Sequence, residues 1–123
     1  MGRRELGNLG ECMAREYLER HGYEVLGQNV RLGKHDEIDL IVRQDRVTVF
    51  VEVKTRTSDL FGPPEESITR RKRQSIERAI VTYVRRHPEV KQVRFDVVAV
   101  FLPPDGTRTL KHFRAVGGSL AFL

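Results

Sequence analysis

Hydrophobic residues along the chain recur with two different spacings, which separate predicted helices from predicted strands. Residues 4–21 carry apolar side chains three or four positions apart, and His21-Gly22 is a helix-ending signal. Residues 70–86 repeat the helical spacing, with Pro88 beyond their end, and residues 58–67 are predicted to form a loop. Runs rich in β-branched residues predict strands over 23–30, 38–42, 47–53, 94–102 and 109–116. The predicted order is α, three β, α, two β.

The second and third predicted strands form a hairpin whose register follows from its turn. The polar tetrad 43–46 separates the strands, and a two-residue turn at Asp45-Arg46 pairs Gln44 with Val47. Alternation along the third strand then gives one fully apolar face, made of Val49, Val51 and Val53.

The same register collects charge at one end of the other face. It sets Asp39 opposite Glu52 and Glu37 opposite Lys54. Facing carboxylates repel, more so when partly buried, and Mg²⁺ offsets such repulsion because it prefers oxygen ligands. Lys54 could then orient or deprotonate an attacking water, or stabilise charge on a phosphorane. The alternative is a surface ion-pair ladder among these four residues.

Glu11 lies at the margin of the apolar face of the first helix, near Ala14 and Leu18, and can point toward the sheet. There it would add a metal or water contact. The alternative is a boundary glutamate whose tip is solvated.

Four cations, Arg70, Arg71, Lys72 and Arg73, occupy the first turn of the second helix. The helix dipole disfavours cations there, whereas a nucleic-acid phosphate would be bound by them together with the free backbone N–H groups. Lys72 precedes Ile76 by four residues, so it can lean toward the charged end of the sheet. The alternative for Lys72 is that its stem lies along the core edge.

Length and charge bound the possible functions. The 123 residues predict a single domain, 1–123. The net charge of +5 is uneven: residues 1–63 carry −1 and residues 64–123 carry +6. Such segregation indicates a polyanionic partner, with nucleic acid ahead of an anionic membrane surface, and a merely solvated basic surface as the plain alternative.

Several classes of protein are excluded by the sequence. The longest apolar run, 97–102, is far too short to span a bilayer, and no signal peptide is expected, so we predict a cytoplasmic protein without a membrane partner. Cys12 is the only cysteine, which excludes an intrachain disulfide. The four histidines lack zinc-site spacing, and no serine- or cysteine-hydrolase motif occurs.

Taken together, the sequence resembles the YraN-like family of small bacterial proteins, which is similar to the archaeal Holliday-junction resolvases of the PD-(D/E)xK nuclease superfamily. The chain departs from that pattern at Ile38, which stands in place of a proline, and at Asp36, where a glycine is expected before Glu-Ile-Asp. The matching residues are Gly7, Gly10-Glu11, Ala14, Gly22-Tyr23, Asn29, Arg31, Glu37-Ile38-Asp39-Leu40-Ile41, Phe50-Val51-Glu52-Val53-Lys54, Arg56, Phe61-Gly62, Lys72 and Arg94-Phe95-Asp96-Val97-Val98.

The resemblance implies a restriction-endonuclease-like αβββαβ core, an α/β fold with a mixed central sheet flanked by two helices. It also implies that Asp39, Glu52 and Lys54 take the catalytic places, that Glu11 is the acidic residue of the first helix, and that the Val53 carbonyl ligates metal. The expected cofactor is Mg²⁺ or Mn²⁺.

We therefore expect a metal-dependent endonuclease, a phosphodiester hydrolase acting on DNA that is branched or otherwise structured. The alternative is a non-catalytic nucleic-acid-binding protein with a nuclease-like fold. Phosphate contacts do not distinguish DNA from RNA, and DNA is preferred on the resemblance. A homodimer is a further expectation, since small nucleases often pair to cut two strands.

Overall fold

A computed structural model describes residues 1–58 and 68–117, so all of the predicted loop 58–67 except Ser58 lies outside the described residues. The order of elements is the predicted one. The elements are α1 Arg3–Arg20, β1 Glu24–Arg31, β2 Glu37–Gln44, β3 Val47–Arg56, α2 Arg70–Arg86, β4 Gln92–Phe101 and β5 Thr109–Phe113. Among these, no helix is both long and apolar enough to cross a bilayer.

The five strands form one mixed sheet in the order β1-β2-β3-β4-β5. Only β3 and β4 run parallel, with α2 as their connection, and the other neighbours are antiparallel. The hairpin register is confirmed, because Gln44 pairs with Val47 and the ladder continues to Leu40 and Val51. Asp45 adopts a positive φ of 56° in the turn, a conformation that aspartate tolerates better than most residues. Within residues 1–58 and 68–117 the structure is thus the predicted α/β fold, with a mixed sheet and two helices, and it is consistent with a restriction-endonuclease-like core.

Each face of the sheet is covered by one helix, which explains the continuous apolar runs in β3 and β4. The α1-side core consists of Ala14, Leu18, Tyr23, Leu40, Val42, Val49, Val51, Val98, Val100 and Leu102. The α2-side core consists of Leu32, Ile38, Ile41, Phe50, Ile76, Ala79, Ile80, Tyr83, Phe95, Val97 and Val116. The two faces of β3 therefore belong to different cores, with Val49 and Val51 toward α1 and Phe50 toward α2.

The outermost strand, β1, is irregular. Its register with β2 shifts between Val25 and Gly27, and Asn29 has a φ of 50°. A Cβ atom on Gly27 would lie 2.6 Å from Val30 Cγ2, so a side chain here would force the Val30 side chain to shift.

β5 ends at Phe113, three residues before the predicted end, because the chain that follows it hydrogen-bonds to a buried aspartate. Asp96 is fully buried, and its Oδ1 accepts the Ala115 N–H at 3.0 Å, while Ala115 takes a φ of 52°. The Val116 N–H then donates to the Phe95 carbonyl at 2.9 Å, which keeps Val116 in the α2-side core.

Asp96 also centres a polar cluster between the sheet and α1. Two Arg94 nitrogens donate to its carboxylate at 2.8 Å each, and His112 Nε2 donates at 2.7 Å. Tyr17 of α1 contacts His112 Nδ1 at 3.1 Å, and Arg94 donates to the Tyr23 hydroxyl at 2.8 Å. Burial opposes ionisation of Asp96, but the bonds from His112 and Arg94 outweigh it, so its pKa lies below the ordinary range.

Asp36, at the position where glycine was expected, fastens the loop before β2 to α2. Its Oδ1 accepts from the Ser75 hydroxyl at 2.7 Å, and the Arg78 guanidinium donates to both of its oxygens, at 3.2 and 3.3 Å. The bonds from Arg78 and Ser75 lower the pKa of Asp36. The departure from the family pattern thus serves as an anchor for the entry to β2.

α1 approaches β3 most closely at Gly10. A Cβ atom on Gly10 would lie 2.0 Å from Thr55 Oγ1 and 3.0 Å from Thr55 Cβ. The absence of a side chain at Gly10 therefore sets how near α1, and Glu11 with it, lies to the end of β3.

We predict that Gly10→Ala destabilises the protein by about 1–3 kcal/mol, because the new methyl group overlaps Thr55. Urea unfolding followed by circular dichroism measures the change. Gly7→Ala is the matched control in the same helix, since nothing lies within 4 Å of its Cβ position, and it should stabilise by about 0.5–1 kcal/mol. Equal effects of the two substitutions would show that the close approach at Thr55 does not govern α1 packing.

Candidate functional site

A cleft of about 730 Å³ opens between the first half of α1 and the ends of β2 and β3 that lie away from their turn. Three acidic residues line it together: Glu11 from α1, and Glu37 and Asp39 from β2. The other lining residues are Arg3, Leu6, Gly7, Asn29, Val53, Thr55, Arg56 and Thr57. The cleft is thus lined by two of the four predicted catalytic residues, Glu11 and Asp39, and by Val53, whereas Glu52 and Lys54 are not among its lining residues.

Asp39 lies where β2 and β3 stop pairing. The ladder between the strands ends at Leu40 and Val51, one step before Asp39 would meet Glu52. Beside Asp39 the regular alternation of β2 side chains between the two faces of the sheet is broken. Ile38 and Ile41 are three residues apart and should face opposite sides, yet both pack in the α2-side core. The Asp39 carboxylate takes up a backbone donor freed there, with Oδ2 accepting the Val53 N–H at 2.8 Å.

The electrostatic surroundings of Asp39 favour its protonated form. Burial is the largest cause and the neighbouring Glu52 the next, and together they raise its pKa from 3.8 to about 7. The Val53 hydrogen bond and Lys72 act in the opposite direction, and Glu11 adds to the increase. Glu52 therefore acts on the Asp39 carboxylate, although the two residues are not paired in the ladder as the sequence predicted.

Glu52 is the most buried carboxylate of the site, with 7% of its surface exposed. Lys54 Nζ lies 3.6 Å from its Oε1, and Lys72 Nζ from α2 lies 3.5 Å from the same atom. The prediction that Lys72 leans toward the charged end of the sheet is confirmed.

Glu11 points into the cleft, so the predicted orientation toward the sheet is confirmed. Burial raises its pKa first, and repulsion by Glu37 and Glu52 raises it further. This carboxylate therefore retains a proton to higher pH than an ordinary glutamate.

The four cations at the start of α2 are not equivalent. Lys72 contacts Glu52, and Arg73 donates to the Gly117 carbonyl at 3.0 Å and to Glu77 Oε1 at 3.3 Å. Arg70 and Arg71 are exposed. Thr69 caps the turn by accepting the Lys72 N–H at 3.1 Å. The turn thus divides into two residues that hold the fold together and two that face solvent.

The donor set can be compared with what a metal requires. Within residues 1–58 and 68–117, no three His, Cys, Asp or Glu side chains lie together as a group that could hold a metal ion. Asp39 and Glu52 supply two carboxylates, and the Val53 carbonyl is the third predicted ligand. Because Mg²⁺ usually binds one or two carboxylates and completes its shell with water and substrate phosphate, this set fits Mg²⁺.

Sequence reasoning missed the other walls of the cleft. Four lining residues were not predicted as site residues: Arg3, Asn29, Thr55 and Thr57. Thr55 and Thr57 share the alternation of Val53, so extending the odd-numbered series of β3 beyond Val53 would have found them.

The comparisons with known proteins decide the family. Residues 10–100 match the family described as "Uncharacterised protein family UPF0102". The chain belongs to the UPF0102 family. The family membership expected from the sequence is thereby confirmed.

Relatives within UPF0102 match along most of their length. A UPF0102 protein of Syntrophomonas wolfei is 41% identical over 110 residues, covering 89% of this chain and 94% of the relative. One from Caldicellulosiruptor saccharolyticus is 45% identical over 103 residues, covering 83% and 86%. Among solved structures, Pyrococcus furiosus SfsA in complex with Ca²⁺ gives a TM-score of 0.36 at 11% identity, over 95% of this chain and 65% of that one. That score is too low to establish a shared fold.

The raised pKa of Asp39 makes the stability of this UPF0102 protein depend on pH. Between pH 3.8 and about 7 the folded chain holds a proton that the unfolded chain has released. This contribution to stability is complete below pH 3.8 and is lost as the pH rises through 7. Asp39→Asn stays neutral and keeps an acceptor for the Val53 N–H. We predict that the free energy of unfolding of Asp39→Asn increases relative to that of the wild type as the pH rises. The difference should reach on the order of 1–3 kcal/mol at pH 8.

Urea unfolding at pH 5 and pH 8 measures this difference. Asp45→Asn, in the turn at the other end of β2, is the matched control and should show no such trend. An Asp39→Asn effect that does not change with pH would refute the raised pKa.

Proposed function

We propose that this UPF0102 protein is a divalent-metal-dependent endonuclease acting on DNA, branched or otherwise structured. The observation that carries the proposal is the half-buried Asp39 near the buried Glu52: burial and repulsion by Glu52 raise the pKa of Asp39 to about 7, and the ammonium of Lys54 lies 3.6 Å from Glu52. Carboxylates with perturbed pKa values cluster at functional sites, and two whose pKa is raised, Asp39 and Glu11, line the same cleft.

The proposed roles follow from the positions of the side chains. Asp39, Glu52 and the Val53 carbonyl would hold Mg²⁺ or Mn²⁺. When bound, the metal supplies Lewis-acid stabilisation of the phosphate and lowers the pKa of a coordinated water. Asp39 must release its proton to act as a ligand, so metal affinity should increase with pH.

Lys54 and Glu11 would serve the attacking water from two sides. The Lys54 ammonium lies 3.6 Å from Glu52, and we assign it to orienting the water and stabilising charge on the phosphorane. Glu11 has a raised pKa and lines the same cleft, which suits it to accept a proton from the water. As the water oxygen bonds to phosphorus, its proton would pass to Glu11; the phosphorus–oxygen bond to the leaving group would break, and the leaving oxygen would take a proton from solvent.

The nucleic acid would be held by the first turn of α2. Arg70 and Arg71 are exposed and are assigned to direct phosphate contacts. Lys72 and Arg73 contribute positive charge while bound to Glu52 and to the Gly117 carbonyl.

One observation favours the second candidate, a non-catalytic nucleic-acid-binding protein. Glu52 is already compensated by two ammonium groups, Lys54 and Lys72. A carboxylate that is neutralised by the protein itself has less need of a cation.

We predict cleavage of branched, duplex or single-stranded DNA that requires Mg²⁺ or Mn²⁺ and stops in EDTA. Asp39→Asn and Glu52→Gln should each reduce the cleavage rate at least about 100-fold, because each removes a charged metal ligand. Gel assays of end-labelled substrates measure the rate, and binding in EDTA should change less than about twofold. Asp45→Asn, purified in the same way, should cleave like the wild type.

Two outcomes separate the candidates. Metal-independent cutting, or cutting that survives both substitutions, would refute the assignment of Asp39 and Glu52. Tight, salt-sensitive binding of all three DNA forms with no cutting in either metal would leave the binding protein as the function.

The assignment of the α2 turn gives a separate prediction. Arg70→Gln/Arg71→Gln should weaken DNA binding and lower the slope of log affinity against log salt by about 1.8, since each lost phosphate contact to duplex DNA removes about 0.9. Fluorescence anisotropy over a series of KCl concentrations measures the slope. Arg85→Gln/Arg86→Gln, at the far end of α2, carries the same charge change and should leave the slope nearly unchanged.

A further inference from the structure

The cleft has a cationic wall that the α2 turn does not supply. Arg3, from the first turn of α1, and Arg56, from the end of β3, line the cleft together with Asp39. α1 packs on one face of the sheet and α2 on the other. Arg3 and the α2 turn therefore belong to helices on opposite faces of the sheet.

Arg3 is not used for internal charge compensation. It forms no ion pair within 4 Å with any residue in the described ranges, although three carboxylates line the same cleft. The causes that shift the pKa of Glu11 all raise it, and no arginine is among them. Arg3 is exposed, so its guanidinium remains available to an anion from outside the protein.

The cleft needs an added cation if a polyanion is to enter it. Its lining includes Glu11, Glu37 and Asp39, which repel phosphate whenever they are ionised. Neutral hydrogen-bonding groups, Asn29 and Thr57, accompany Arg3 along the lining. An arginine with polar neutral neighbours is the usual composition of a sugar-phosphate contact.

We propose that Arg3 binds a backbone phosphate of the nucleic acid on the α1 side of the cleft, next to the phosphate at Asp39. The nucleic-acid strand then crosses the end of the β-sheet, from Arg3 on the α1 side to Arg70 and Arg71 on the α2 side. This inference rests on the proposed function, because it assumes that a nucleic acid occupies the cleft. It adds a contact that is independent of the α2 turn.

The test is a salt titration of DNA binding in EDTA, in which no cleavage occurs, by fluorescence anisotropy with duplex, single-stranded and four-way-junction DNA. Arg3→Gln should weaken binding about three- to tenfold and lower the salt slope by about 0.9 for duplex or about 0.7 for a single strand. Arg4→Gln is the matched control, since Arg4 is exposed on the same turn but does not line the cleft. It should change the slope by less than a third of that amount.

The effects of Arg3 and the α2 turn should add. In Arg3→Gln/Arg70→Gln/Arg71→Gln the slope should fall by the sum of the separate changes, because the contacts are to different phosphates. Arg3→Glu, which also suits a helix start, should weaken binding more than Arg3→Gln, and thermal melting confirms that each variant is folded.

Each result bears on the inference. Equal slopes for Arg3→Gln and Arg4→Gln, with a normal response to Arg70→Gln/Arg71→Gln, would overturn the contact at Arg3 and leave the proposed function standing. A wild-type chain that binds none of the three DNA forms would overturn both.

Discussion

The arrangement of the site depends on the free-energy cost of burying negative charge between two helices and the end of the sheet. Glu52 is buried and Asp39 is half-buried, and burial together with the charge of Glu52 raises the cost of ionising Asp39. The protein meets this cost differently at the two positions. Glu52 holds two ammonium groups, one from its own strand and one from α2, while Asp39 holds a backbone N–H and favours a proton. Lys72 therefore joins α2 to β3 by charge as well as by packing.

The features that the sequence predicted are those that depend on short-range pattern. The hairpin register followed from the alternation of β2 and β3 and from a turn that a positive φ at Asp45 completes. The approach of Lys72 to the sheet followed from its place four residues before Ile76 on the buried face of α2. The orientation of Glu11 toward the cleft followed in the same way from helical spacing.

The features that the sequence did not predict depend on contacts between distant segments. Where β2 and β3 separate, Asp39 captures the Val53 N–H, and no periodicity indicates where two paired strands diverge. The bonds from Asp36 to α2 and from Arg73 to Gly117 join segments about 40 residues apart, and local pattern carries no information about them. In the sequence Asp96 is a single polar residue within an apolar strand. Its hydrogen bonds from His112 and Arg94 are visible only in the folded structure.

The irregular shape of β1 has a consequence for self-association. A flat outer strand offers a row of N–H and C=O groups on which a second molecule can template its own strand. The register shift at Gly27 and the left-handed Asn29 interrupt that row, and β5 at the opposite border has only five residues. Both borders of the described sheet are thus poorly suited to building a continuous intermolecular sheet. A partner that pairs through backbone hydrogen bonds would find no long, regular strand at either described border of the sheet.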